Sequence, residues 1–408
     1  MKKYVLAGAG SRGLESYALP IVNEYRDHAE LAGVYDINPV RAQYLSDQCG
    51  GIPVFYDFDE MLRVAGPEAV IITTVDKFHH EYIIKAFEAG CDAISEKPMT
   101  IDPEKCRAVL EAERRTGRKL TVTFNMRYMP YMARVKELIR HGVVGKILGV
   151  DFEWFLDTSH GASYFRRWHR YLDKSGGLLV HKATHHFDVV NWWLEEEPEE
   201  VFAFGTRRFY GPTREARGEY CRACPHQKTC EFYWDITSKK SRMEMYVSAE
   251  HVDGYIRDRC VFAEDIDIYD TMSVTTRYSG GALLSYSLVA FSPYEGWKAS
   301  INGTEGRLEV GEFNSGPRSK EPVEYINLYN RQGEDIRYSV NRCGGSHGGS
   351  DDKLRRTIFV GDVGDPLGQQ ADSWAGAMSL MIGACANISI AEKRPVLIKE
   401  LLGDARQR

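Results

Sequence analysis

The sequence carries no excess of positive charge: 52 lysines and arginines stand against 58 aspartates and glutamates, for a net charge of −6. Sequence-independent nucleic-acid binding needs a strong positive field, so nucleic acid is not an expected partner. A secretory signal is lacking too, because MKKYVLAGAG runs from two lysines through a short apolar stretch straight into glycines. A cytoplasmic location is the expectation. Internal repeats and Pro- or Ser-rich linkers are absent. Long uncharged runs are scarce, and the one at residues 373–391 contains Ser373, Ser379, Asn387 and Ser389 among small residues. It reads as a tightly packed helix of a soluble domain, and no membrane partner is expected. Nine cysteines, an odd number without an export signal, point to reduced thiols.

With 408 residues, 43% hydrophobic and 12% aromatic, the chain can bury full cores and has the length of two domains. Residues 1–122 alternate short apolar runs with amphipathic segments, the rhythm of βαβ units. Strands are expected at 4–7, 31–35, 69–73, 92–95 and 120–124, with helices at 13–27, 79–90 and 103–116. From about 147 the pattern changes to long alternating strands at 147–156, 201–210, 272–278, 283–291 and 298–302, with helices at 177–194 and 366–392. The fold class expected is therefore α/β. A doubly wound parallel sheet occupies 1–122, and an α+β domain with a large, mostly antiparallel open sheet occupies 123–408, interrupted by a cysteine-containing insertion at about 212–265.

Gly8-Ala9-Gly10-Ser11-Arg12-Gly13 is G-x-G-x-x-G directly after the first strand. The first glycine permits the tight turn, the second lets the backbone approach a pyrophosphate, and the third lets helix and strand pack closely. The helix start then offers free N–H donors to the anion. Asp36 closes the second strand, where an acid accepts bonds from the adenosine ribose hydroxyls and repels a 2′-phosphate. NAD is favoured over NADP, although Arg41 stands where it could reach a phosphate.

Four landmarks then appear in order: the GAGSRG turn, Glu96-Lys97-Pro98, FNMRYMP from Phe124, and GGLLVHKATHHFDVVNWWL from Gly176. In these the chain resembles the Gfo/Idh/MocA family of NAD(P)-dependent sugar and cyclitol oxidoreductases. The resemblance implies a Rossmann domain followed by an α/β domain whose open sheet supports the active site and commonly pairs into a homodimer or homotetramer. It places Lys97 beside the nicotinamide and the substrate hydroxyl, where a cation favours alkoxide character, and His185 as the general base. Ser11, Arg12, Thr74, His79, Glu96 and Asn125 join the expected cofactor contacts. Arg127, Arg167, Trp168 and His169 are the expected substrate contacts, for a carbohydrate or cyclitol.

One departure stands out: the family usually has an acid four residues before the base, and this chain has His181. On a continuous helix His181, His185 and Asp188 share a face, so His181 and His185 would point at the cleft with Asp188 supporting from behind. Losing the acid removes negative charge beside Lys97, which predicts a lowered titration of His185, reversed by His181→Asp.

Cys221-x2-Cys224-x5-Cys230 and the distant Cys260 form a pattern suited to four-thiolate metal binding. A structural zinc is the leading expectation. A [4Fe-4S] cluster is the lesser one, and His226 could replace Cys260. Independent thiols are the plain alternative.

The function expected is reversible hydride transfer between NAD and a secondary hydroxyl. Redox-assisted glycoside hydrolysis is the first alternative, with Tyr164, His169, Tyr278 and His347 as additional acids and bases. A cofactor-binding regulator without turnover is the second, and its expected mark, a broken EKP tripeptide, is missing.

Overall fold

The computed structural model describes the chain except residues 345, 362–363 and 404–408 and the side chains of 346 and 347. Among the described residues there are two sheets. The first is built from β1 (Lys2–Ala7), β2 (Ala29–Tyr35), β3 (Val54–Phe55), β4 (Ala69–Ile72), β5 (Asp92–Ser95) and β6 (Leu120–Val122). Its order is β3-β2-β1-β4-β5-β6 and every pairing is parallel. The order reverses between β1 and β4, so the carboxyl ends of these two strands open the crevice where such sheets bind ligands. Central strands are buried on both faces, which explains why β4 reads as an unbroken apolar run, AVII.

The second sheet contains β7 (Ile147–Asp157), β8 (Pro198–Thr206), β9 (Thr271–Tyr278), β10 (Leu283–Ser292), β11 (Gly296–Gly303), β12 (Gly306–Phe313), β13 (Val323–Asn330), β14 (Asp335–Asn341) and β15 (Val396–Leu397). Its order is β14-β13-β12-β11-β7-β10-β9-β8-β15, antiparallel throughout except for the pairing of β7 with β10. In β7, Asp151 and Glu153 face outward while Phe152 and Trp154 are buried, the alternation of a sheet covered on one side. A concavity lies on the uncovered face, lined by Asp151, Glu153, Ser287 and Lys298.

Three helices depart from expectation. The first runs over residues 11–23 rather than 13–27 and contains one wide turn at Leu14–Ala18. The last begins at Ser373, capped by Asp372, because residues 366–372 form a loop. Its core is buried rather than lipid-facing, and Gly383 is small because a Cβ there would meet the Leu179 carbonyl at 2.3 Å. Its polar groups are used internally: Ser389 accepts from the Ala203 amide and Asn387 donates to the Gly176 carbonyl. Most important for the site, the segment 177–194 is not one helix. Gly177–His181 ends, Lys182 and Ala183 make a tight turn, and Thr184–Leu194 begins anew.

Candidate active site

The glycine turn has the shape a dinucleotide requires. Gly8 adopts φ +101°, and a Cβ there would lie 2.6 Å from the Thr73 backbone; one on Gly13 would lie 2.4 Å from the Gly8 carbonyl oxygen. Both are obligatory glycines, whereas Gly10 opens outward toward the space a pyrophosphate would fill. Asp36 is fixed at the end of β2, where it accepts from the amides of Ala9 (2.7 Å) and Asn38 (2.8 Å). Arg41 is held by Asp36 (3.2 Å) and also by Asp253 from the insertion. Its guanidinium is committed to two carboxylates, which corrects the expectation that it is available for a phosphate. The residues therefore fit a dinucleotide. The Ser11 amide, at the helix start, donates to the Tyr246 hydroxyl at 2.9 Å, so the insertion reaches directly over this turn.

Lys97 extends from the end of β5. Its Nζ donates to the main-chain oxygen of His181 at 2.9 Å, joining the two halves of the molecule. Burial lowers its pKa to about 8; the Asp76 carboxylate opposes that shift and the Lys182 ammonium reinforces it. Glu96 points the other way, accepting from Tyr17 (2.6 Å) and Arg12 (2.7 Å). Burial would raise Glu96, but the Arg12 charge and the Tyr17 bond bring it below the ordinary carboxylate value. Arg12 also faces Asp351, and Asp351 in turn accepts from Asn125 at 2.7 Å. Arg12, Glu96 and Asn125 thus form a buried polar layer beneath the reacting region. His79 braces the same turn, its two nitrogens lying 2.8 Å from the Pro98 oxygen and 3.2 Å from the Thr74 oxygen. A neutral imidazole donates from only one nitrogen, so one tautomer satisfies one of these carbonyls.

Asp76, which the sequence did not single out, supplies the missing acid. Its carboxylate accepts from His181 Nδ1 at 2.5 Å. His181 is held well below its usual pKa by burial and by the Lys97 charge, so its imidazole stays neutral. An acid does therefore stand beside His181, contributed by the loop after β4, and burial raises its pKa well above the ordinary carboxylate value against the pull of the Lys97 charge. The residue is legible only as a loop position after a parallel strand, where such sheets place functional groups.

The helix break also changes the remaining roles. His185 is buried and its ring meets the edge of Phe124 at 6.0 Å. Asp188 does not stand behind it: both carboxylate oxygens accept from Arg127, at 2.6 and 2.8 Å. Arg127 donates as well to the Gly368 oxygen and is buried, so it is a structural partner of Asp188 rather than a substrate contact. His186 stacks on Trp154 at 4.0 Å and bonds Tyr286 in the core. Tyr278, at the end of β9, donates to Asn191 of the helix Thr184–Leu194 and takes no part in the site. The side chain of His347 lies outside the described residues.

Around Lys97 and His181 the loop after the helix Thr158–Arg166 closes an aromatic wall. His169 lies 4.2 Å from His181 and stacks on Trp168 at 3.7 Å, and Tyr164 sits 5.5 Å from both histidines. Tyr164 donates toward His160, which bonds Glu295 at 2.9 Å. Lys182 lies 4.6 Å above the Trp154 ring, and Arg167 covers Tyr164.

Comparison with known proteins decides the family. The model described as "Oxidoreductase family, NAD-binding Rossmann fold" matches residues 2–124, and its companion, "Oxidoreductase family, C-terminal alpha/beta domain", matches 136–398. The chain belongs to the Gfo/Idh/MocA oxidoreductase family. Within it, YteT of Bacillus subtilis (strain 168), provisionally named an oxidoreductase, is 39% identical over 98% of this chain and 99% of its own length. Inositol 2-dehydrogenase of Rubrobacter xylanophilus is 31% identical over 43% of this chain and 48% of its own. Levoglucosan dehydrogenase, solved with NADH and levoglucosan, superposes with a TM-score of 0.70 at 18% identity, covering 97% of this chain and 99% of that one.

The cysteine-bearing insertion lies outside the landmarks that carry the family resemblance. Cys221, Cys224, Cys230 and Cys260 line one pocket. Among the described residues, however, no three His, Cys, Asp or Glu side chains stand close enough to hold a single metal ion. A zinc ion 2.3 Å from each sulfur needs the thiolates about 3.8 Å apart, so the single-zinc expectation is not met by this geometry. His226 does not line the pocket either.

Proposed function

We propose that this oxidoreductase transfers a hydride reversibly between NAD and a secondary hydroxyl of a sugar, glycoside or cyclitol. The observation that carries the reading is Lys97, a partly buried ammonium at the carboxyl end of β5, anchored to His181 of the second half and close to the Asp76 carboxyl that binds the neutral His181 ring. Bound NAD supplies the hydride acceptor. Lys97 polarises the carbinol oxygen and stabilises the alkoxide character that develops there. His185 takes the hydroxyl proton during oxidation and returns it during reduction, while Asp76, its pKa raised by burial against the pull of the Lys97 charge, orients His181 beside the ammonium. Asp36, with Arg41 already paired, supports NAD over NADP.

Lys97→Ala is expected to lower kcat/KM by at least ~10³-fold while NAD affinity stays within a few-fold. Equal loss of NAD binding and turnover would sink the assigned role. The Tyr164–His160–Glu295 chain favours one second reading, redox-assisted glycoside cleavage. Aglycone release without net NADH formation would select it.

The charge of the pocket supports an acidic substrate. Arg167 and Lys182 are in no salt bridge among the described residues; the charges of both act on His181 and that of Lys182 also on Lys97, with Glu295 the carboxylate that acts on Lys182. Their excess positive charge, desolvated in the cleft, favours a carboxylate on the sugar. With glucose against glucuronate and galactose against galacturonate as paired substrates, the acids are expected to be favoured at least ~10-fold. Arg167→Met should erase that preference while leaving the neutral sugars unchanged.

A further inference from the structure

We propose that Arg257 and Tyr246, both on the insertion, bind the pyrophosphate of the dinucleotide and supply the positive charge that the glycine turn lacks. The inference rests on the dinucleotide reading of that turn and holds for NAD and NADP alike. The turn itself offers a pyrophosphate only main-chain N–H groups and the partial charge of a helix start. The arginines that the first domain places there are spent: Arg12 binds Glu96 at 2.7 Å and faces Asp351, and Arg41 is held by Asp36 and Asp253. A pyrophosphate is a dianion, and bringing it into a partly buried turn calls for a cation.

The insertion brings one. Tyr246 is buried, and its hydroxyl lies 2.9 Å from the Ser11 amide nitrogen and 2.7 Å from Ser11 Oγ. A Cβ on Gly10 would stand 3.8 Å from the same hydroxyl, so the second glycine of the motif opens toward this phenol. The Arg257 guanidinium lies 4.0 Å from the centre of the Tyr246 ring, one phenol away from the turn. Among the described residues Arg257 is in no salt bridge; the groups that favour its charge are Tyr255, Tyr246 and, last, Glu15. It also presses on a like charge, since Arg167 is held below its ordinary pKa by burial and then by Arg257. Two desolvated guanidiniums within range of each other, neither in an ion pair, are costly until an anion reaches them.

The chemistry of the donors suits a phosphate. A hydroxyl both donates and accepts, whereas a phosphate oxygen only accepts. With such an oxygen taking over as acceptor for the Ser11 amide, the Tyr246 O–H is released to donate to it, and the Arg257 fork offers several N–H groups. Both side chains are held in place from two sides. Ahead of Arg257, the Ala249 oxygen accepts from Asn38 at 2.9 Å and Asp253 binds Arg41, fixing the stretch to the first domain. Behind it, the buried Asp258 binds Arg222 at 2.9 Å, and its main-chain oxygen accepts from the Cys221 amide at 2.8 Å. A clamp positioned before the ligand arrives loses little entropy on binding.

The test is titration calorimetry of the full-length protein with ADP-ribose, which carries the pyrophosphate, and with adenosine, which does not. Arg257→Met is expected to weaken ADP-ribose binding at least ~10-fold while adenosine affinity stays within ~2-fold, and Arg257→Lys to recover much of the loss. Tyr246→Phe, which keeps the ring and removes the hydroxyl, is expected to weaken ADP-ribose at least ~3-fold. Unchanged ADP-ribose affinity in Arg257→Met overturns the proposal, and so does an equal loss for both ligands, which would mark a merely structural role. Should Arg257→Met fail to fold, Tyr246→Phe decides, and wild-type affinity there is the overturning result. Wild-type protein that binds neither ADP-ribose nor NAD would overturn the dinucleotide reading itself, and this inference with it.

Discussion

Replacing Asp76 by asparagine removes one charge and little else. The amide keeps an oxygen to accept from His181 Nδ1, so the 2.5 Å contact survives in kind. The electrostatic consequence falls on Lys97, whose pKa of about 8 reflects burial opposed chiefly by the Asp76 carboxylate. At an effective permittivity of about 20 to 40, the attraction lost between two unit charges a few ångströms beyond contact amounts to roughly 1–2 kcal/mol, or about one pH unit. The sign follows from the charge type: a carboxylate stabilises the ammonium, so its removal lowers the Lys97 pKa further, toward about 7. Lys97 works as a cation, so activity lost on the alkaline side should be lost earlier in the variant. The assay is the pH profile of kcat/KM for NAD reduction, measured from pH 5 to 10 on wild type and Asp76→Asn. The alkaline limb should move from near 8 to near 7, with the rate at pH 6 changed far less than the rate at pH 8. An unmoved limb would refute the reasoning, because it would mean either that Asp76 carries no charge in the working enzyme or that Lys97 is not the titrating group.

Two further predictions test other parts of the site. Asp188→Asn strands the buried Arg127 guanidinium and should cost about 3–5 kcal/mol of unfolding free energy in denaturant titrations, whereas a loss under 1 kcal/mol would contradict the structural pairing. Asp36→Ser should raise the NAD KM about 10- to 100-fold and improve NADP use as Arg41 is released from one of its two carboxylates; an unchanged NAD/NADP ratio would count against the assigned ribose contact.

Much of the first domain was legible because its signals are local. Gly8, Gly10 and Gly13 are read from their spacing directly after a strand, and β4, a buried parallel strand, announces itself as a continuous apolar run. The helix 103–116 shows the same principle, with Asp102 capping its start and Gly117 its end. The positions of Lys97 and His185 were legible for another reason, since motif order fixes them once the family is seen. Roles that depend on partners were not. Asp188 has the helical spacing to support His185, yet the chain turns at Lys182 and Ala183 and an arginine sixty-one residues away claims the carboxylate first.

The sequence by itself determined where most of the strands run and where a dinucleotide turn sits, because each rests on interactions between near neighbours in the chain. Only the tertiary structure decided that Asp76 meets His181, that Arg41 and Arg127 are occupied by carboxylates, and that the cysteine-bearing insertion rests on Ser11 and Asn38. Those outcomes are competitions among charged groups for a few buried partners. The winner is set by distance through space and by the cost of leaving a charge unpaired, neither of which is written in residue order.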